Sequence, residues 1–285
     1  MEKQSPILST PQYIPSHFYP HSKPTTLGEN TFHKFLVTHL KSTGSVNYDP
    51  GSSKTPHKRL KECQKVLKTQ DRLSNLHVSL DISKHLENKL LFPTIQHFST
   101  LSSLSLEFHG NRQTNLLPQE IPFKILTSLK QLNHLDISFH STRIRDAKNL
   151  KKLMKTIQKL KRLSSFSLTY FNCYGLGPSH YGVLLSNLAK MSQLRTLKLS
   201  FDNSRDLFNS DIELFADSLP KLSFLTKIDL IFKGWRDLRQ QTLLRLFKAF
   251  QSLKNLSDLA LNLQDCSFAY CAAGGIGSLE ESLTP

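Results

Sequence analysis

The stretch Leu101-Ser-Ser-Leu-Ser-Leu-Glu-Phe108 decides the fold, because its apolar pattern reopens at Leu132, Leu163, Leu194, Leu225 and Leu256, always at the same interval. With the opening leucine as position zero, position three reads Leu104, Leu135, Phe166, Leu197, Ile228 and Leu259. Position five reads Leu106, Ile137, Leu168, Leu199, Leu230 and Leu261, and position seven Phe108, Phe139, Tyr170, Phe201, Phe232 and Leu263. Such alternation is the period-two signature of a short strand with one buried face. Ahead of each strand the spacing changes, as in Leu91, Ile95 and Phe98 or Phe215, Leu219 and Leu222. Gaps of three and four put those side chains on one face of a helix.

Each unit is therefore expected to be one strand, one loop and one helix. No single unit can bury its own apolar face, so stacking must supply the core. Like strands then pair in parallel, about 4.8 Å apart, on the concave side of an arc, with helices on the convex side. A degenerate first unit, with Leu73, Leu76, Val78 and Leu80 as its strand and Cys63 and Leu67 ahead of it, opens slightly closer to Leu101 than the regular interval would put it. The expected fold class is α/β, a curved solenoid of about seven repeats of 31 residues over 56–271. Residues 1–55, rich in Pro, Ser and His, are expected to be a largely disordered arm. Residues 272–285, with Ile276, Leu279 and Leu283, read as a partial C-terminal cap or a truncated eighth repeat.

The net charge of +15 is concentrated in two places. Residues 1–72 hold eleven Lys and Arg against five acidic groups, and residues 143–162 hold Arg143, Arg145, Lys148, Lys151, Lys152, Lys155, Lys159, Lys161 and Arg162 against Asp146 alone. In the second cluster Leu150, Leu153, Met154, Ile157 and Leu160 take the core positions, so the cations point outward. They read first as a solvated helix face, and alternatively as a docking site for anionic ligands or nucleic acid. No aromatic residues interleave with them, which counts against a platform for single strands.

The even strand positions face away from the core, and in solenoids that surface is the usual place for partners. It presents Glu107, His109, His134, Asp136, His140, Thr169, Phe171, Lys198, Asp202, Lys227, Asp229, Ile231 and Lys233 as candidate partner-binding residues. Six acidic groups against three lysines along these strands make the face a poor guest site for a nucleic-acid backbone and a better one for a protein segment. Phe171 and Ile231 are the expected apolar anchors. His109 and His140 fall at the same position on adjacent strands, with Glu107, His134 and Asp136 expected close by. Imidazoles and carboxylates so placed suit a transition metal, but a solvated polar patch accounts for them equally, and no metal is assigned.

Catalysis is not expected: the chain holds no G-x-S-x-G elbow, P-loop, G-x-G-x-x-G after a strand or H-E-x-x-H. Cys266 and Cys271 stand alone as a pair, too little for a zinc site. No cofactor is expected. Residues 1–20 lack the apolar core of a signal peptide and no run is long enough to span a bilayer. The four cysteines fit a reducing compartment. A cytoplasmic protein is expected, with the nucleus as the alternative.

The ladder resembles the leucine-rich-repeat superfamily, and within it the intracellular, ribonuclease-inhibitor-like group, over residues 56 to 264. Leu101–Phe108, Leu194–Phe201 and Leu225–Phe232 match its strand pattern. The family places Asn or Cys just after the strand, whereas here that position holds His109, His140, Phe171, Asp202, Lys233 and Gln264. The resemblance implies non-covalent binding of a protein partner on the concave face. Some members are substrate-recognition subunits of ubiquitin ligases, with an F-box ahead of the repeats, but residues 1–60 show too little apolar periodicity for that module.

Overall fold

The computed structural model describes residues 45–48, 73–81, 95–96, 98–110, 123–143, 147–173, 178–202 and 207–267. The expected partial cap at 272–285 and most of the expected arm lie outside them. Eight strands, β1 (Ser45–Tyr48), β2 (Asn75–Asp81), β3 (Ser103–His109), β4 (His134–His140), β5 (Ser165–Phe171), β6 (Thr196–Asp202), β7 (Lys227–Ile231) and β8 (Asp258–Asn262), form one sheet in chain order. Every neighbouring pair is parallel. Helices α1 (Ala147–Ile157), α2 (Pro178–Leu188), α3 (Asn209–Ser218) and α4 (Gln240–Gln251) return the chain between later strands.

Register follows the sequence pattern. Leu104, Leu135, Phe166, Leu197, Ile228 and Leu259 are Cα partners in succession across the sheet. Leu76 joins the same row from β2, despite the shorter spacing of its unit. Two details depart from expectation. Strand β1 lies inside the stretch expected to be a disordered arm, so the sheet begins before residue 56. Its Val46 and Tyr48 pair with Leu76 and Val78, but Thr43 stands where an opening leucine would and the spacing shifts again, which hides the unit. The described chain just before β4 is a 3-10 helix, Phe123–Ser128, rather than an α-helix. Pro122 falls ten places before Leu132, and a proline there removes a backbone donor and crowds the preceding turn.

The core runs as one cluster along the sheet, with positions zero, three, five and seven of β3 to β7 packed against the inner faces of the helices. Each fully buried Leu or Phe side chain contributes about 1.5–3 kcal/mol of transfer free energy. Position seven builds a spine of rings, Phe108, Phe139, Tyr170, Phe201 and Phe232, with successive centroids 5.2, 5.5, 5.8 and 5.7 Å apart. Trp235 closes it edge-on against Phe232.

After each strand the chain must turn sharply toward the helix layer. Position nine makes the turn: Ser141, Asn172, Gly234 and Asp265 all have φ between 51 and 68°, a left-handed conformation that Gly and Asn tolerate at least cost. There the backbone ladder gains one more rung, since the N–H groups of Ser141, Asn172 and Gly234 donate to Phe171, Asp202 and Gln264 carbonyls of the following unit. Position ten then fastens the loop. The Cys173 thiol donates to the Phe139 carbonyl at 3.3 Å and lies 3.3 Å from Thr142 Oγ1, and the Cys266 thiol donates to the Phe232 carbonyl at 2.7 Å. In these two units a cysteine two places after the row of His109 and His140 fastens the loop. The sequence column at position ten reads Asn111, Thr142, Cys173, Ser204, Trp235 and Cys266, small and polar or thiol-bearing at five of its six places.

Candidate functional site

The face of the sheet opposite the helices carries the even positions, and parallel pairing without slippage turns each position into a row. Two groupings result. The first is centred on Glu107 of β3. Its Oε1 lies 3.0 Å from His140 Nε2 of β4 and 3.4 Å from His109 Nε2 of its own strand, and Oε2 lies 3.6 Å from His77 Nε2 of β2. The positions directly beside Glu107 are Ser79 and Ser138, small enough for imidazoles two places away to lean across. Hydrogen bonds from His109, His140 and His77, in that order of size, hold the Glu107 carboxyl well below the usual carboxylate range, against the opposing effect of partial burial. The His109 and His140 rings stack at 4.8 Å and 16°, and Phe171 continues the row at 5.7 Å from His140.

This corrects the expected neighbourhood of the histidine pair. His134 and Asp136 sit toward the start of β4 rather than beside it. His134 Nδ1 is 2.8 Å from Ser165 Oγ, which turns the ring toward β5. His77, absent from the sequence-based set, takes the place beside Glu107, with its Nδ1 2.9 Å from Ser105 Oγ.

The second grouping is a shallow depression of about 400 Å³ lined by His134, Asp136, Ser138, Thr169, Lys198, Lys227 and Asp229 among others. Asp136 Oδ2 accepts a 3.4 Å hydrogen bond from Ser105 Oγ, while Oδ1 is buried with no partner among the described residues. Lys198 pairs with Asp229 directly opposite at 3.4 Å, and Lys227 pairs with Asp258. Such exposed pairs contribute little to stability, but they neutralise two of the three lysines that the sequence places on this face. Phe171 stands 44% exposed at the end of β5. Ile231 is half-buried at the end of β7, Asp202 ends β6, and Lys233 lies on the turn after β7.

The basic cluster occupies a different surface. Leu150, Leu153, Met154 and Ile157 of α1 are buried, and Lys151, Lys152 and Lys155 are exposed. Lys159, Lys161 and Arg162 follow on the exposed turn into β5, and Arg143 is exposed after β4. Arg162 donates to Gln131 Oε1. Arg145 and the side chain of Lys148 lie outside the described residues.

No family model matches the chain, and no curated protein matches it. Among solved structures the chain is similar to the tropomodulin C-terminal domain of Caenorhabditis elegans, at 13% identity and a TM-score of 0.36, over 68% of this chain and 92% of that one. No helix among the described residues is long and apolar enough to cross a membrane.

Proposed function

We propose that the chain is a leucine-rich-repeat solenoid of the ribonuclease-inhibitor-like kind. In this reading it acts without catalysis or a cofactor, in the cytoplasm, by binding a protein segment across the concave, strand-lined face. The observation that carries it is the depression over β4–β7, where the small side chains of Ser138, Ser167, Thr169 and Thr196 leave backbone-sized room, with Phe171 exposed further along β5. Phe171 offers the apolar contact that tends to dominate interface energetics.

A second reading rests on the exposed cations of α1 and the turn after it, none of which forms an ion pair with a described residue. It assigns that face to an anionic ligand or nucleic acid. A substrate-recognition role in a ubiquitin ligase would depend on a module within residues 1–60, nearly all outside the described residues. One experiment separates the readings. Affinity purification of the full chain is run beside a D136A/F171A variant and a variant with Lys151, Lys152, Lys155 and Lys159 reversed to Glu. A protein partner lost only with the first variant supports the scaffold. RNA lost only with the second supports the basic face, and a co-purifying ligase adaptor supports the receptor. A protein partner retained at full yield by D136A/F171A removes the concave-face assignment.

A further inference from the structure

The geometry points to a zinc-binding site on the open face of the sheet, formed by Glu107, His109 and His140. Each residue offers one ligand atom, and the three lie within 4.8 Å of one another. Zinc bonds imidazole nitrogen at about 2.0–2.1 Å and carboxylate oxygen at about 2.0–2.2 Å in tetrahedral geometry, so neighbouring ligand atoms around one ion stand about 3.4 Å apart. The two edges from Glu107 Oε1, 3.0 Å to His140 Nε2 and 3.4 Å to His109 Nε2, are already of that length. The His109 and His140 ring planes, now stacked 16° apart, turn about their Cβ–Cγ bonds when an ion binds, so that both Nε2 lone pairs meet at it.

The arrangement has the outer contacts that a metal site uses to fix its ligands. His77 reaches the other carboxylate oxygen, at 3.6 Å, and is itself oriented by Ser105 Oγ. That leaves Oε1 facing the His109 and His140 pair. Phe171 flanks His140 on the far side, limiting how far that ring can swing away. Imidazole and carboxylate donors without thiolate suit zinc among the common divalent ions, whereas magnesium and calcium favour sites built from oxygen alone. Three protein ligands leave a fourth position, which opens onto the exposed face of the sheet. There a water, or a side chain of a bound protein segment, completes the tetrahedron. Binding adds no covalent step: the two Nε2 lone pairs and one Oε1 lone pair are donated to the ion, and any proton on Nε2 passes to solvent.

The test uses the full chain with Zn²⁺ alone as probe, by calorimetric titration after chelator treatment, with E107Q and the double substitution H109A/H140A alongside. Expected is saturable one-to-one binding that raises the melting temperature, and that weakens by about tenfold or more in either variant. Circular dichroism and the metal-free melt establish that the variants fold. Should either variant fail to fold, the full chain loaded with Co²⁺ alone gives an independent readout, the intense visible bands of a four-coordinate ion. No saturable heat with Zn²⁺, or binding unchanged in a folded E107Q or H109A/H140A, overturns the site. So does Co²⁺ with only the weak bands of a six-coordinate ion.

Discussion

Cys173 shows how much one side chain does at a loop. It is buried, its thiol donates to Phe139 in the preceding unit, and it lies within reach of Thr142. Removing the sulfur leaves a buried carbonyl and hydroxyl short of a partner, and C173A should lose about 1–3 kcal/mol, measured by urea unfolding. Burial also pushes the Cys173 thiol up, so the thiolate that reacts with alkylating reagents is scarce in the folded protein. Peptide-level mass spectrometry after iodoacetamide should therefore find Cys173 labelled only at the rate of unfolding, and rapid labelling in the native protein would contradict its position. The column of Asn, Thr, Cys and Ser that marks this role is visible in the sequence, but only once the turn at position nine is known. The strand alternation by itself directs attention two residues earlier, to the row that holds His109 and His140. The histidine pair is legible for the opposite reason: the constant repeat interval places its members side by side with no knowledge of side-chain direction. His77 falls on the same face by the register alone, but its contact with Glu107 runs diagonally across the strands, and a row of like positions does not reveal it.

At the level of elements, strand identity and pairing follow from period two, whereas helix ends depend on local polar contacts that periodicity does not reveal. Helix α3 is an example. Asp211 in its first turn is buried, and its Oδ2 accepts from the Phe208 N–H at 3.3 Å. Burial raises the Asp211 carboxyl above the usual carboxylate range, with the backbone N–H groups of Phe208 and Gly182 opposing the shift. The folded state thus binds this proton more tightly than the unfolded state. Its contribution to stability is complete below the unfolded pKa and is lost as pH rises through the folded one. Asparagine keeps an acceptor for Phe208 and carries no charge. D211N should therefore gain stability relative to the natural protein as pH rises from the acid range to neutrality, in urea unfolding measured across pH. D211A, which loses both backbone bonds, should be destabilised by about 1–3 kcal/mol at any pH where the protein folds. A D211N difference that does not change with pH would remove charge burial as the cause.

Across the whole molecule, a sheet whose strands pair only with their sequence neighbours has an energetic consequence. Each unit is stabilised by the two beside it, so the same residue at the same position should matter according to where its unit sits. Position three tests this with nearly constant chemistry. Leu197 and Ile228 are fully buried between flanking strands, whereas Leu259 on β8 is 43% exposed. Deleting the interior side chains leaves cavities that flanking strands and helices cannot easily fill, and L197A and I228A should each cost about 2–5 kcal/mol. L259A removes a side chain already half in water and should cost about 1 kcal/mol or less. Hydrogen exchange should rank the strands in the same order: amides of β5 and β6 exchange near the rate of global unfolding, and those of β8 through local opening at lower free energy. Equal losses for all three substitutions would mean that the sheet unfolds as one unit with no weak end, and the nearest-neighbour account of its stability would have to be abandoned.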